Sequence, residues 1–286
     1  MASTLDRVKP EVTLKAPALA GRLERGSFNL VVGLLSAAAI VLLTAPTIVV
    51  LITSFTNGFS LKFPPPGYSL RWYEALFTQS PEIWRAAKLS VQVALLATSI
   101  SALLAVAAAL ALARQPSAWA RLADSVFMSP LMLPTLALGL ALLMTFNVLG
   151  VGLSFWTLVI GHVAITTPYI LRTTIASLLQ LDPVLLQSAR SLGASATFTF
   201  RTVTLPLVLP GIAAGAFIAF MASFDNVAIS LFLSDARSEM LPIRLWHNIE
   251  SNLDVRTAAV SGVLIAITIV AIVLMERLVG ISRHVK

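Results

Sequence analysis

Long apolar runs separated by short polar stretches set the plan of this chain. A helix needs about 20 mostly apolar residues to cross a bilayer. Runs of that kind predict spans at 30–52, 89–113, 125–146, 154–171, 209–233 and 257–275. The uncharged stretch from Ser125 to Leu171 is too long for one span, and Asn147, Gly150 and Gly152 divide it. Segments this apolar cannot stay in water, and lipid demands internally bonded backbone, so the runs predict helices. Pro130 and Pro134 predict a bend in the third span, where neighbours can satisfy the freed carbonyls.

One segment breaks the pattern. The stretch 173–208 is polar, carries arginines, and is too long for an ordinary connection. Asp182-Pro183 is a helix start: the carboxylate accepts from free N–H groups, and proline fits the first helical position. Val184 to Leu192 reads as a short amphipathic helix, with Leu185 and Ala189 on one face and Leu186 and Arg190 on another. Gly193 stands at its stop, where a left-handed residue costs glycine little. Ser195 caps a second short helix through Phe198, Arg201 and Thr202, and Pro206 and Pro210 disturb the start of the fifth span. Length and internal structure favour an interaction surface over a plain loop. Leu185 and Leu192 supply the apolar face that a partner groove could bury.

Composition sharpens the class. Hydrophobic residues make up 57% of the 286 and charged residues 12%, about half the share usual in soluble domains. An integral membrane protein follows. The absence of cysteine excludes a disulfide framework, a cysteine-ligated metal and a thiol nucleophile. The aromatics do not interleave with basic residues in a compact patch, so the net charge of +7 speaks for topology and against nucleic-acid binding. Of the 20 Lys and Arg, about thirteen fall on one set of connections by the positive-inside count. That set holds the tail 1–27, Arg114, Arg121, Arg172, Arg190, Arg201, Arg277 and, at the end of the chain in 281–286, Arg283 and Lys286. Lys62, Arg71, Arg85, Lys88, Arg237, Arg244 and Arg256 form the opposite set. Both termini and the 173–208 loop are therefore expected in the cytoplasm, with the first span retained rather than cleaved as a signal.

Other residues carry candidate chemistry. Trp72, Tyr73 and Trp84 suit an interfacial anchor on the outer face, or a surface for an external partner. Asp225 is the one carboxylate inside an expected span. Intramembrane acids are costly and mark pathways or paired partners. On a continuous helix Met221, Asp225 and Ile229 share a face, with Ser223 and Asn226 nearby. The face either lines a cation pathway or meets another polar residue. His162 and Thr166, one turn apart, are read as interhelical hydrogen-bonders or as a polar patch on a cavity. Arg172 is expected to snorkel to the cytoplasmic interface.

These residues are similar to those of permease subunits of binding-protein-dependent ABC importers. The family's loop reads Glu-Ala-Ala, three residues, Gly, then about nine residues to apolar-x-Leu-Pro. Here it is Gln187-Ser188-Ala189, Arg190-Ser191-Leu192, Gly193-Ala194, and Val203-Thr204-Leu205-Pro206. Gln187 replaces the usual acid and Ser188 the first alanine, so a salt bridge at that point is lost while the helix–Gly–helix geometry is kept. SLRWYEALF, SPLMLPTLALGLALL (Ser129–Leu143), GHVAITTPYILRTTIASLLQLDP (Gly161–Pro183), SFDNVAISLFL (Ser223–Leu233) and MLPIRLWHNI (Met240–Ile249) resemble the spermidine/putrescine C-type permease branch in order. Asn226 stands where a second acid is common.

The resemblance implies an all-α membrane protein of the type I importer (MetI-like) fold, with six transmembrane helices over 28–280 and cytoplasmic coupling helices. It implies a multi-pass subunit of a bacterial inner membrane that forms half of a translocation pathway. The implied partners are a homologous second permease, two ATPase subunits at the loop and a periplasmic solute-binding protein. Leu185, Gln187, Ser188, Ala189, Arg190, Leu192, Gly193, Ala194, Leu205 and Pro206 would form the coupling element. Met221, Ser223, Asp225, Asn226, His162 and Thr166 would lie on the pathway. No GxxxxGK[ST] phosphate cradle is present, so ATP and magnesium are expected on the partner ATPase, with no cofactor or metal on this chain. A polyamine-like or other small cationic or zwitterionic solute is expected, with organophosphonates, opine-type compounds and ferric iron as alternatives in the same class. An intramembrane hydrolase has no GxSxG or HExxH motif behind it, and a secondary transporter has only one intramembrane carboxylate for ion coupling.

Overall fold

The computed structural model describes residues 18–113, 117–235, 238–251 and 255–279. The tail before Ala18, Arg114, Arg237 and the end of the chain at 281–286 lie outside the described residues. The chain forms two compact units, Met1–Ile52 and Thr53–Lys286.

In the first unit, α1 (Ala18–Ser54) contains Pro46. Its segment Ser27–Ser54, 28 residues long, reaches about 42 Å at helical rise, more than the ~30 Å hydrocarbon core. Thr44 turns its hydroxyl back to the Ile40 carbonyl at 2.7 Å, which suits a residue that has no water to bond.

The second unit begins with α2 (Arg71–Gln79) and α3 (Pro81–Leu112), followed by α4 (Ala118–Met132), α5 (Thr135–Val148) and α6 (Phe155–Leu179). Next come α7 (Pro183–Ser191), α8 (Ala196–Thr199), a π-helical turn at Phe200–Thr204 and α9 (Leu205–Phe224). The unit ends with α10 (Val227–Leu233), α11 (Leu241–Ser251) and α12 (Val255–Val279).

At the centre stands α6. Its apolar window is 61% buried, against 17% to 33% for α3, the α8–α9 run and α12, and its mean hydropathy of 1.2 is the lowest of the four. Physics links the two facts: polar side chains on a span need protein partners, so the most polar span is the one wrapped. Small residues let its neighbours approach. On α3, Ser90, Ala94, Ala97, Ser101, Ala105 and Ala109 are buried along one stripe. On α9, Gly211, Gly215, Ala219 and Ser223 recur every fourth residue. A Cβ on Gly215 would stand 2.9 Å from the Ile170 Cα and would collide with the Thr173 hydroxyl.

Two expected spans differ in the structure. The segment expected as one span at 125–146 is α4 and α5, bent by 107°. The break falls at Leu133-Pro134, because proline cannot donate to the carbonyl one turn back. Among the described residues five helices are long and apolar enough to cross a membrane, and this bent pair makes a sixth if it counts as one span. The span expected at 209–233 is also broken: α9 stops at Phe224, Asp225 caps it, and α10 restarts after Asn226. Met221, Asp225 and Ile229 therefore do not share the face of one continuous helix.

The segment around α2 packs on α12. The Tyr73 hydroxyl lies 2.7 Å from the Ser54 hydroxyl, and a Cβ on Gly262 of α12 would strike it. Trp72 donates its indole N–H to the Gly58 carbonyl at 3.0 Å, and the Arg71 guanidinium lies over the Phe59 and Trp72 rings.

Candidate functional site

The 173–208 loop folds from local signals. The Asp182 Oδ1 accepts from the Val184 N–H at 2.9 Å, with Pro183 opening α7. Gly193 takes φ of 78°, the left-handed region that side chains resist. Ser195 accepts from the Phe198 N–H at 3.2 Å and starts α8. The second short helix is not separate, however. It runs through the π turn, where the Leu205 N–H donates to the Phe200 carbonyl five residues back, straight into α9. Pro206 and Pro210 lack the N–H groups that a regular ladder would use there.

No residue of α7 is buried. Leu185 and Leu192 are 45% and 87% exposed, and Gln187, Ser188 and Arg190 are exposed beside them, with Ala189 half-buried. Ala194 is half-buried, as is Leu205, and Pro206 is exposed. Behind α7 lies a cavity of about 390 Å³ bounded by Leu110, Leu178, Leu186, Arg190, Phe200 and Thr204.

The six pathway candidates separate into two groups. His162, Thr166 and Ser223 are sealed inside the helix packing at 0% exposure, so they do not line an open surface. The His162 Nδ1 lies 2.8 Å from the Ser223 Oγ, and its Nε2 lies 3.4 Å from the Ser230 Oγ. Thr166 donates to the His162 carbonyl at 2.7 Å and meets the Ser101 hydroxyl at 2.7 Å. Thr167 bonds Ser101 at 3.1 Å. This network ties α3, α6, α9 and α10 together. Its fourth-helix member, Ser230, went unnoticed in the sequence, although it falls seven residues after Ser223.

Asp225 and Asn226 occupy the break. The Asn226 Oδ1 accepts from the Ile229 N–H at 2.8 Å and caps α10, which leaves Asn226 half-buried. Asp225 is exposed at the C-terminal end of α9, and its carboxylate has no hydrogen-bond or ion-pair partner among the described residues. Met221 borders an apolar groove of about 440 Å³ with Trp84, Phe220, Phe224, Val263 and Ile267. Arg172, expected to snorkel, pairs with Asp124 at 3.3 Å. Among the described residues no group of three or more His, Cys, Asp or Glu could hold a metal ion.

Residues 101–282 match the family described as binding-protein-dependent transport system inner membrane component. The chain belongs to this family. It is a permease component of an importer rather than an enzyme, and a multi-pass protein of the inner membrane. The spermidine/putrescine transport system permease protein PotC of Haemophilus influenzae is 29% identical over 237 residues, covering 83% of this chain and 92% of that protein. The putrescine transport system permease protein PotI of Escherichia coli K12 is 30% identical over 218 residues, covering 72% and 75%. These relatives place the chain in the C-type polyamine permease branch. The crystal structure of a bacterial transporter for the acidic polysaccharide alginate superposes with a TM-score of 0.72 at 15% identity, over 94% of this chain and 100% of that chain. The MetNI methionine transporter superposes at 0.58 and 17% identity, over 71% and 98%. At those identities the likeness bears on the fold, which is the MetI-like importer fold.

Proposed function

We propose that this chain forms half of the translocation pathway of an ATP-driven importer for polyamine-like cations. The observation that carries the substrate class is Asp225. An unpaired, exposed carboxylate at the C-terminal end of α9 adds its charge to the negative end of the helix dipole, so the break attracts cations. Relatives named for spermidine and putrescine support the same reading. A homologous permease completes the pathway, a periplasmic binding protein delivers the solute, and the termini lie in the cytoplasm. Two ATPase subunits bind the exposed face of α7, and ATP and magnesium sit on them, not on this chain. The coupling element that moves with them includes Leu185, Gln187, Ser188, Ala189, Arg190, Leu192, Gly193, Ala194, Leu205 and Pro206.

The test is reconstitution of the chain with its cognate permease, ATPase and binding protein in proteoliposomes. ATP-dependent uptake of putrescine or spermidine is expected. Uptake of an organophosphonate, an opine-type compound or ferric iron with no polyamine uptake would overturn the substrate assignment.

A further inference from the structure

The break in the fifth span has no glycine or proline to explain it, and it is held from the side by a residue of another helix. His162 of α6 reaches the last turn of α9 with one ring nitrogen and α10 with the other. Ser230 spends its one proton at the Asn226 carbonyl, 2.6 Å away. It is therefore free only to accept from His162, so the Nε2 carries the ring proton and the Nδ1 accepts from Ser223. The ring itself is held by full burial and by partners at both nitrogens, and the turn that carries it is tied by Thr166, which bonds the His162 carbonyl and Ser101. Ser101, His162, Thr166, Ser223 and Ser230 are all fully buried, where an unmatched polar atom costs about 1–3 kcal/mol. Loosening any member therefore propagates to the next.

Between Ser223 and Ser230, the two points that His162 meets, lie residues 224–229, which include the break at Asp225 and Asn226. We infer that His162 is a positioning residue: it staples the two halves of the broken span and fixes the direction in which Asp225 presents its carboxylate. This inference rests on the reading of Asp225 as the cation-attracting group.

The experiment uses the complete reconstituted transporter and putrescine uptake. His162→Leu should raise the putrescine KM about tenfold, the size of one or two lost buried hydrogen bonds. His162→Gln keeps a donor near the Nε2 position and should recover most of that loss. In an Asp225→Asn background the His162→Leu effect on KM should vanish, because there is no charge left to aim. An equal KM increase in both backgrounds, or a fall in Vmax alone, would overturn the staple and leave the Asp225 reading intact. If Asp225→Asn leaves uptake unchanged, it is the cation reading that fails. The staple is then decided without substrate. The chain has no cysteine, so Asp225→Cys can be labelled cleanly with a cationic methanethiosulfonate. Its labelling rate should shift about tenfold when His162→Leu is added, as expected for a loosened local structure, and return most of the way in His162→Gln. An unchanged rate in His162→Leu overturns the inference.

Discussion

The backbone N–H of Ala194 donates to the carbonyl of Ala189 at 3.0 Å, while the N–H of Gly193 reaches Arg190 at 2.9 Å. Together these bonds close α7 as a Schellman motif, with Gly193 in the left-handed position. Nothing lies within 4 Å of where a Gly193 Cβ would stand. The cost of a side chain there is thus backbone strain alone, about 1–2 kcal/mol. Gly193 variants should then rank by left-handed tolerance and not by size: Asn mild, Ala intermediate, Val worst. The readout is the ratio of solute uptake to ATP hydrolysis in proteoliposomes, which should fall in that order while insertion is unchanged. Normal uptake by Gly193→Val would show that the coupling element does not need its hinge.

A second expectation concerns the open face of α7. Leu185 and Leu192 are already exposed in the protomer, so polar substitution removes no internal packing. Leu185→Glu should leave the thermal stability of the isolated permease within about 0.5 kcal/mol, as surface changes do. Capture of the ATPase should weaken about tenfold or more, because the same leucine would be buried in the complex. Loss of stability without loss of capture would mean that the face packs internally.

The approach of α9 to α6 makes a third prediction. At Gly215 the nearest immovable atom is the Ile170 Cα at 2.9 Å, and backbone cannot rotate away. Gly215→Ala should destabilise the unit by about 1–3 kcal/mol, the usual penalty for overpacking. Gly152→Ala offers the contrast, since nothing lies within 4 Å of its Cβ position and its backbone is not left-handed. Thermal denaturation of both variants in detergent checks the order.

How much of this was legible in the sequence depended on range. The Asp182 cap, Pro183, Gly193 and Ser195 act within four residues, and the loop formed where those signals stood. The bend at Pro134 was legible as a bend, though not as a turn of 107°, because its size is set by what α4 and α5 pack against. The break at Asp225 was missed for a physical reason. A run of apolar residues hides it, and the clue, Asn226 as a cap three residues before Ile229, reads as a polar point on a continuous helix until the backbone is seen. His162 was legible as a hydrogen-bonder, yet its partners Ser223 and Ser230 lie 61 and 68 residues away. No periodicity carries that information.

Asn226 permits a test that separates its two roles. Its side chain caps α10 through the Ile229 N–H, and the resemblance to the polyamine branch marks the position as one where an acid is common. Asn and Asp cap helices about equally well, and a carboxylate at a helix N-terminus is favoured by the dipole. Asn226→Asp should therefore keep stability within about 0.5 kcal/mol while placing a second negative charge beside Asp225. If the break attracts cations, the putrescine KM falls; two nearby carboxylates also bind a diamine better than one. Asn226→Ala removes the cap instead, costs about 1 kcal/mol, and should raise KM only as far as α10 frays. Asp225→Asn is the third arm, with uptake at low putrescine reduced and assembly unaffected. A KM that rises in Asn226→Asp, alongside unchanged uptake in Asp225→Asn, would mean that the charge at the break serves packing against another polar group rather than the passage of a cation.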